Sequence, residues 1–433
     1  MKSRNCRCRL PRRAALSGPS LSLLVLAAAI IAAGPGCSPK PTPPARVIFL
    51  GIDAVDYHIL GSLMDQGRLP NFSRLASEGA TGLLNTLQPL QKSPIIWTSI
   101  ATGMIPDKHG IGGFVARTAR GDSVPYTGNV RRVKALWDIL GEKGMTVGVV
   151  GWLVTWPAAK VNGYLVSDYI QYETERGIKL DRQTYPEDLF AEIEGLRLTE
   201  ASVSDQAIAS LYPVDAPADE LSPDDWHKGY VKMIYATDET FRRIALHLDK
   251  KGVGFLAVYF NGIDSACHAF WDYRSQPEHP LAGVIDDYYV WIDGVLGEFM
   301  RLADRETMLV VCSDHGFTGP GRTADGALLL GIYMHGNDGY IGLAGKNIRK
   351  GAHLPECDVL DVAPTVLYAL GHPVAGDMDG SVLVDGFTAD CLKFRPVSFV
   401  PTYETGRRPD EEPLSSPVDD KVKAKMKALG YIQ

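Results

Sequence analysis

The sequence predicts an α/β fold: a largely parallel central sheet with helices on both faces and an inserted cap region. Three observations predict it. Short, continuous apolar runs recur along the chain, as in strands buried on both faces. Segments with apolar residues at helical spacing separate them. Three of the runs end in aspartate, at the strand ends where open α/β sheets gather their ligands. The chain has 433 residues, 45% hydrophobic and 22% charged, which suits one large domain with insertions and excludes disorder throughout. A formal charge of -7 argues against a nucleic-acid partner, where a basic surface dominates affinity.

The elements follow in order. Residues 1–36 carry six basic side chains and no acidic one, with an apolar stretch from Leu21 to Ala33 and then Gly34-Pro35-Gly36-Cys37. A basic start, a 13-residue apolar run and small residues before a cleavage point read as an export signal. The run is short for a membrane span, which needs about 20 residues. Cys37 resembles the lipidated cysteine of a bacterial lipoprotein, which implies a membrane contact through an N-terminal lipid at the cell envelope. Residues 37–45, with four prolines, form an extended tether. The catalytic domain is expected over 46–385.

Val47–Ile52 is the first apolar run and Val147–Trp152 another. Trp226, Tyr230, Met233, Ile234, Thr237, Phe241, Ile244, Ala245 and Leu248 mark a helix that Gly252 stops. Val253–Phe260 follows as a strand. Val284, Tyr288, Trp291, Ile292, Val295, Phe299 and Met300 mark the next helix. Met308–Cys312 and Tyr340–Ala344 read as two more strands. Residues 155–225, polar, acidic and rich in tyrosine, break the rhythm and read as the insertion. Residues 386–433 read as a tail in which Asp419 to Leu429 forms a short polar helix. Cys267, Cys312, Cys357 and Cys391 are spread too widely for a disulfide scaffold, and a Cys357–Cys391 bridge stays open.

The chemistry lies at the strand ends. The first strand runs into Asp53, another into Asn261-Gly262-Ile263-Asp264, a third into Ser313-Asp314-His315-Gly316. Three converging carboxylates repel one another unless a cation sits between them. His268, four residues after Asp264, and His315, beside Asp314, supply imidazole. Mixed imidazole and carboxylate donors suit zinc, with manganese or iron behind it. Singly, each aspartate is an ordinary turn or cap residue; the joint pattern carries the reading. Ser93-Pro94 starts a helix that Gly103 ends, with Ser93 as N-cap. A hydroxyl there, at the positive end of the helix and bound to a metal, is an activated nucleophile facing a cradled phosphate.

From Val47 to about Leu383 the chain resembles the alkaline phosphatase superfamily, and within it the type I phosphodiesterase/nucleotide pyrophosphatase branch. The matching segments are Gly51-Ile52-Asp53, Leu69-Pro70-Asn71-Phe72, Ser93 to Gly103, Pro106 with His109-Gly110-Ile111, Asp264 with His268, and Ser313-Asp314-His315-Gly316. They continue through His335-Gly336-Asn337-Asp338-Gly339, Asp361-Val362-Ala363-Pro364-Thr365 and Asp377-Met378-Asp379-Gly380. The resemblance implies two divalent ions, Zn2+ before Mn2+. Asp264, His268 and His335 would hold one; Asp53, Asp314 and His315 the other. Ser93 would lie between them as nucleophile and metal ligand, forming a phosphoseryl intermediate on a small phosphate-ester substrate. His335 is preferred to His353 for its place before an apolar strand.

One position departs from the pattern. Nucleotide pyrophosphatases place an asparagine after the His-Gly motif to contact the phosphoryl oxygen, and Phe114 stands there. Lys92, Asn129 or a group from the insertion are the candidate replacements. A phosphomonoesterase or phosphonate hydrolase would use the same ligands. A sulfatase motif is absent, since Ser93 is followed directly by Pro94 and no arginine occurs before Gly103. A metal-binding lipoprotein without catalysis would not need Ser93.

Overall fold

The structure is a computed structural model and describes residues 40–173, 180–214, 226–322, 328–406, 411–428 and 430–432. The export signal and Cys37 lie outside them. Residues 40–433 form one compact unit around a ten-stranded sheet. Its strands are β1 (Arg46–Ile52), β2 (Gly79–Asn85), β3 (Val147–Val150), β4 (Gly163–Val166), β5 (Thr184–Tyr185), β6 (Phe255–Phe260), β7 (Thr307–Cys312), β8 (Asp338–Gly345), β9 (Ala352–His353) and β10 (Cys357–Asp358). The order is β9-β2-β8-β7-β1-β6-β3-β4-β5, with β10 also pairing with β2. Most pairs are parallel. The exceptions are β8 against both β2 and β7, and β5 against β4.

The centre explains the apolar runs. In β1, β6 and β7 nearly every residue is buried, because helices cover the sheet. The flanking helices are α1 (Tyr57–Asp65), α2 (Pro70–Glu78), α3 (Ser93–Thr102), α4 (Leu136–Glu142), α5 (Trp226–Asp249), α6 (Gly262–Arg274), α7 (Val284–Leu302), α8 (Val362–Ala369) and α9 (Asp419–Ala428). Of the stripes predicted over α5 and α7, Ile234, Phe241, Ile244 and Leu248 in one and Val284, Tyr288, Ile292 and Phe299 in the other are buried, while Trp226 is exposed; Val231 and Leu296 join the buried faces. Asp56 caps α1, accepting from the N–H groups of His58 and Ile59.

Two expectations need correction, and one question the sequence leaves open is answered. Residues 155–225 are not only an insertion: they contribute β4 and β5 to the main sheet. These strands lie at the sheet's edge and are short, so their polar surroundings hid them. The segment after 385 is not a free tail. Leu414 N–H donates to Thr127 Oγ1 at 3.0 Å, and Val418 and Val422 of the final stretch are buried against Trp156, Tyr169 and Leu180. Cys357 and Cys391 are both free and buried, so that bridge does not form. Among the described residues no helix is long and apolar enough to cross a membrane.

Candidate metal centre and nucleophile

The register of three adjacent strands builds the site. β1 lies between β6 and β7, parallel to both, with Ile52 opposite Phe260 and Gly51 opposite Cys312. The three carboxyl ends therefore open on one edge, which brings Asp53, Asp264 and Asp314 together. β8 runs the other way, with Ile341 opposite Cys312, so the residues just before it reach that same edge. This is how His335 arrives, while His353 stays on edge strand β9 and is exposed.

Each side chain is held by named partners. Asp53 Oδ2 accepts the Tyr259 hydroxyl at 2.6 Å and the Trp97 indole N–H at 3.1 Å. Its Oδ1 faces His315 Nε2 at 3.2 Å. His315 Nδ1 lies 2.9 Å from the Gly316 carbonyl oxygen. A donor is needed there, so Nδ1 carries a proton and Nε2 is the atom turned toward the site. Asp314 Oδ2 is 3.4 Å from that nitrogen. The donor atoms of Asp53, Asp314 and His315 lie within 4.8 Å of one another, and so do those of Asp264, His315 and His335. His315 thus stands between two groups, its ring stacked on that of His335 at 3.7 Å. His268 completes the second group, with Nε2 3.3 Å from Asp264 Oδ1 and 3.1 Å from His335 Nε2.

The electrostatics of this cluster call for a cation. Burial and the neighbouring Asp53 charge push the Asp314 carboxyl well above its usual range. Asp53 is also pushed up by burial, but the charge of His315 and the Tyr259 hydroxyl leave it below the ordinary value. Burial works against protonated His315, yet the carboxylates of Asp314 and Asp53 lift it to about 10. Burial, with the charges of His315 and His268, holds His335 well below the usual range. Asp53 Oδ1, Asp314 Oδ2 and His335 Nδ1 are buried without a hydrogen-bond partner. Carboxylate oxygens so placed, with imidazole beside them, fit a divalent ion of the zinc type.

Ser93 is buried on the same wall, its Oγ 3.5 Å from His315 Nε2. It is not the N-cap. The helix begins at Ser93, and the Lys92 carbonyl accepts the N–H groups of Ile95 and Ile96. The Ser93 hydroxyl is thus not engaged as a cap. Gly103 ends the helix in the left-handed region, as the sequence predicts. His109 takes the structural part: its Nδ1 accepts the Ile111 N–H and its Nε2 lies 3.0 Å from Ser99 Oγ. A cavity opens beside Ser93, Asp53 and Asp264, and Phe114 lines it. Of the candidate replacements for an amide at Phe114, Asn129 is committed elsewhere, donating to Glu411 Oε2 and the Glu412 carbonyl. Gln171 and Tyr172 of the 155–225 segment do reach the cavity.

Sequence reasoning missed four participants. Tyr259 and Trp97 orient Asp53, but inside apolar runs they look like core. Lys425 and Tyr431 come from the final segment and line the cavity with Ser93. The Tyr431 hydroxyl lies 2.8 Å from His268 Nε2, 3.1 Å from His335 Nε2 and 3.0 Å from Asp264 Oδ2. No local pattern links residue 431 to residue 264.

A mostly parallel sheet with carboxylates and histidines at its carboxyl edge and a serine at a helix start defines an alkaline-phosphatase-like fold. The chain belongs to the type I phosphodiesterase/nucleotide pyrophosphatase family, whose profile matches residues 47–328. This family comprises metal-dependent phosphoester hydrolases. No curated protein matches the chain. Among solved structures, it is similar to wild-type alkaline phosphatase PafA, with 13% identity and a TM-score of 0.51 over 80% of this chain and 99% of that one. Human ectonucleotide pyrophosphatase/phosphodiesterase 5 gives 14% and 0.47 over 78% and 97%. Phosphonoacetate hydrolase from Sinorhizobium meliloti 1021, in complex with phosphonoformate, gives 20% and 0.41 over 66% of this chain. The match spans 59% of that hydrolase's length. At these identities the likeness to PafA bears on the fold alone.

Proposed function

We propose that the protein is an exported phosphodiesterase that hydrolyses a small phosphate ester through a phosphoseryl intermediate on Ser93. The observation that carries this reading is the position of the Ser93 hydroxyl. It is buried, not engaged as a helix cap, 3.5 Å from His315 Nε2 and on the wall of a cavity shared with Asp53 and Asp264. Asp53, Asp314 and His315 would hold one divalent ion, and Asp264, His268 and His335 the other. Such ions, zinc by the donor chemistry, lower the pKa of a coordinated hydroxyl and neutralise phosphoryl charge. Ser93 Oγ loses its proton to solvent and forms a bond to phosphorus as the ester oxygen leaves. Water then attacks phosphorus, breaking the Oγ–P bond and releasing phosphate or its monoester. Tyr259 and Trp97 keep Asp53 oriented throughout. Export and a lipid on Cys37 place this chemistry at the cell envelope, with the substrate arriving from outside the cytoplasm.

Ser93→Ala and chelation should each abolish turnover of chromogenic diester and monoester substrates. Full turnover by purified Ser93→Ala would remove the serine from the mechanism. A second reading, phosphomonoesterase or phosphonate hydrolase, is favoured by Lys425, whose ammonium lines the cavity and suits the extra charge of a dianion. The ratio of kcat/KM on diester to that on monoester decides between them: a monoester preference overturns the diesterase reading.

A further inference from the structure

We infer that the Tyr431 phenolic oxygen is the fourth ligand of the metal held by Asp264, His268 and His335. Four atoms define the geometry: Tyr431 Oη, His268 Nε2, His335 Nε2 and Asp264 Oδ1. From Tyr431 the separations are 2.8, 3.1 and 3.2 Å. Between the other three they are 3.1 Å for the two histidines, 3.3 Å for His268 and Asp264, and 3.5 Å for His335 and Asp264. Donors about 2.0–2.1 Å from a common centre at tetrahedral corners stand about 3.3–3.4 Å apart. The six observed edges run from 2.8 to 3.5 Å, bracketing that length. Hydrogen bonding explains the arrangement less well. A phenol has one proton to donate, and two ring nitrogens facing each other at 3.1 Å need a shared proton or a shared cation.

The chain delivers Tyr431 by design of its last turn. Val418 and Val422 anchor α9 on Trp156 and Tyr169. Gly430 then takes φ +77, a left-handed turn that other residues enter at a cost, and its N–H returns to the Lys427 carbonyl. Tyr431 N–H closes on the Met426 carbonyl at 2.9 Å, and its ring rests on Phe114 with centroids 4.5 Å apart. The two metal groups consequently differ. The Asp53, Asp314 and His315 group faces the Ser93 hydroxyl. The Asp264, His268 and His335 group would take a fourth donor from the protein and meet the phosphoryl oxygen by expanding to five-coordinate. Coordination breaks the phenol O–H bond, forms the metal–oxygen bond and releases one proton to solvent.

This inference rests on the two-metal reading but not on turnover, and its test needs no substrate. Metal-free full-length protein is titrated with Zn2+ while phenolate ultraviolet absorbance and proton release are followed. Wild type should show a phenolate signal as zinc binds; Tyr431→Phe should lose that signal, release one proton fewer and bind one of two zinc ions at least about tenfold more weakly. Ser93→Ala should keep the signal, so loss of activity there leaves this result intact. Zinc binding by wild type without a phenolate signal would overturn the inference, whether or not the Phe variant folds. So would Tyr431→Phe that binds both ions with unchanged affinity.

Discussion

Asp53 uses its two oxygens differently, and this division is the most informative detail at the scale of single residues. Oδ2 accepts from Tyr259 and Trp97, while Oδ1 is left bare toward His315. The donors fix the carboxylate's rotation, so the bare oxygen needs no reorganisation to meet a cation. Tyr259→Phe should therefore weaken metal binding about 10- to 100-fold without unfolding the sheet, read by competition of zinc with a chromophoric chelator. Unchanged zinc affinity would show that Asp53 holds its orientation without this hydroxyl. The cluster of candidate ligands was legible in the sequence, because aspartate at the end of an apolar run is a pattern of adjacent residues. Their supports were not. Tyr259 sits inside β6 and reads as packing, and Tyr431 is linked to Asp264 only through the folded chain.

At the scale of elements, the docking of α3 on β1 sets where Ser93 lies. Trp97 of α3 lies against Gly51 of β1, where an added Cβ would come within 2.6 Å of its ring. Trp97 also packs edge-on against Trp152 and Tyr259. Gly51→Ala should push the indole away, costing about 1–3 kcal/mol in urea unfolding and loosening its N–H from Asp53. Stability and zinc affinity both at wild-type levels would show that the indole can yield. The central strands were legible because burial on both faces leaves an unbroken apolar run. The direction of β8 was not, since an apolar run carries no sign of which way it pairs. Two-residue strands such as β5 and β9 carry no period at all.

The whole molecule couples its sheet edge to buried charge. Burial raises the Asp238 carboxyl from 3.8 to about 7, against the pull of the Asn261 and Gly262 N–H groups and the Tyr288 hydroxyl. The folded chain thus holds this proton more tightly than the unfolded one. The stability it contributes is full below about pH 4 and is lost as pH rises through about 7. Asp238→Asn, which cannot titrate, should gain on wild type as pH rises from about 4 to about 7 in urea unfolding. A gap independent of pH would rule this account out. A last consequence concerns the order in which the centre is assembled. Ala54 N–H meets Asp314 across 260 positions of sequence, and Tyr431 meets Asp264 across 167. Donors so dispersed in the chain come together only after the sheet has closed. A divalent ion then binds the native state and not its precursors, and stabilises it by about 2.7 kcal/mol at a hundredfold excess over Kd. Each ion would act as a late, removable cross-link between distant parts of the nascent chain, so metal supply sets how long the protein endures.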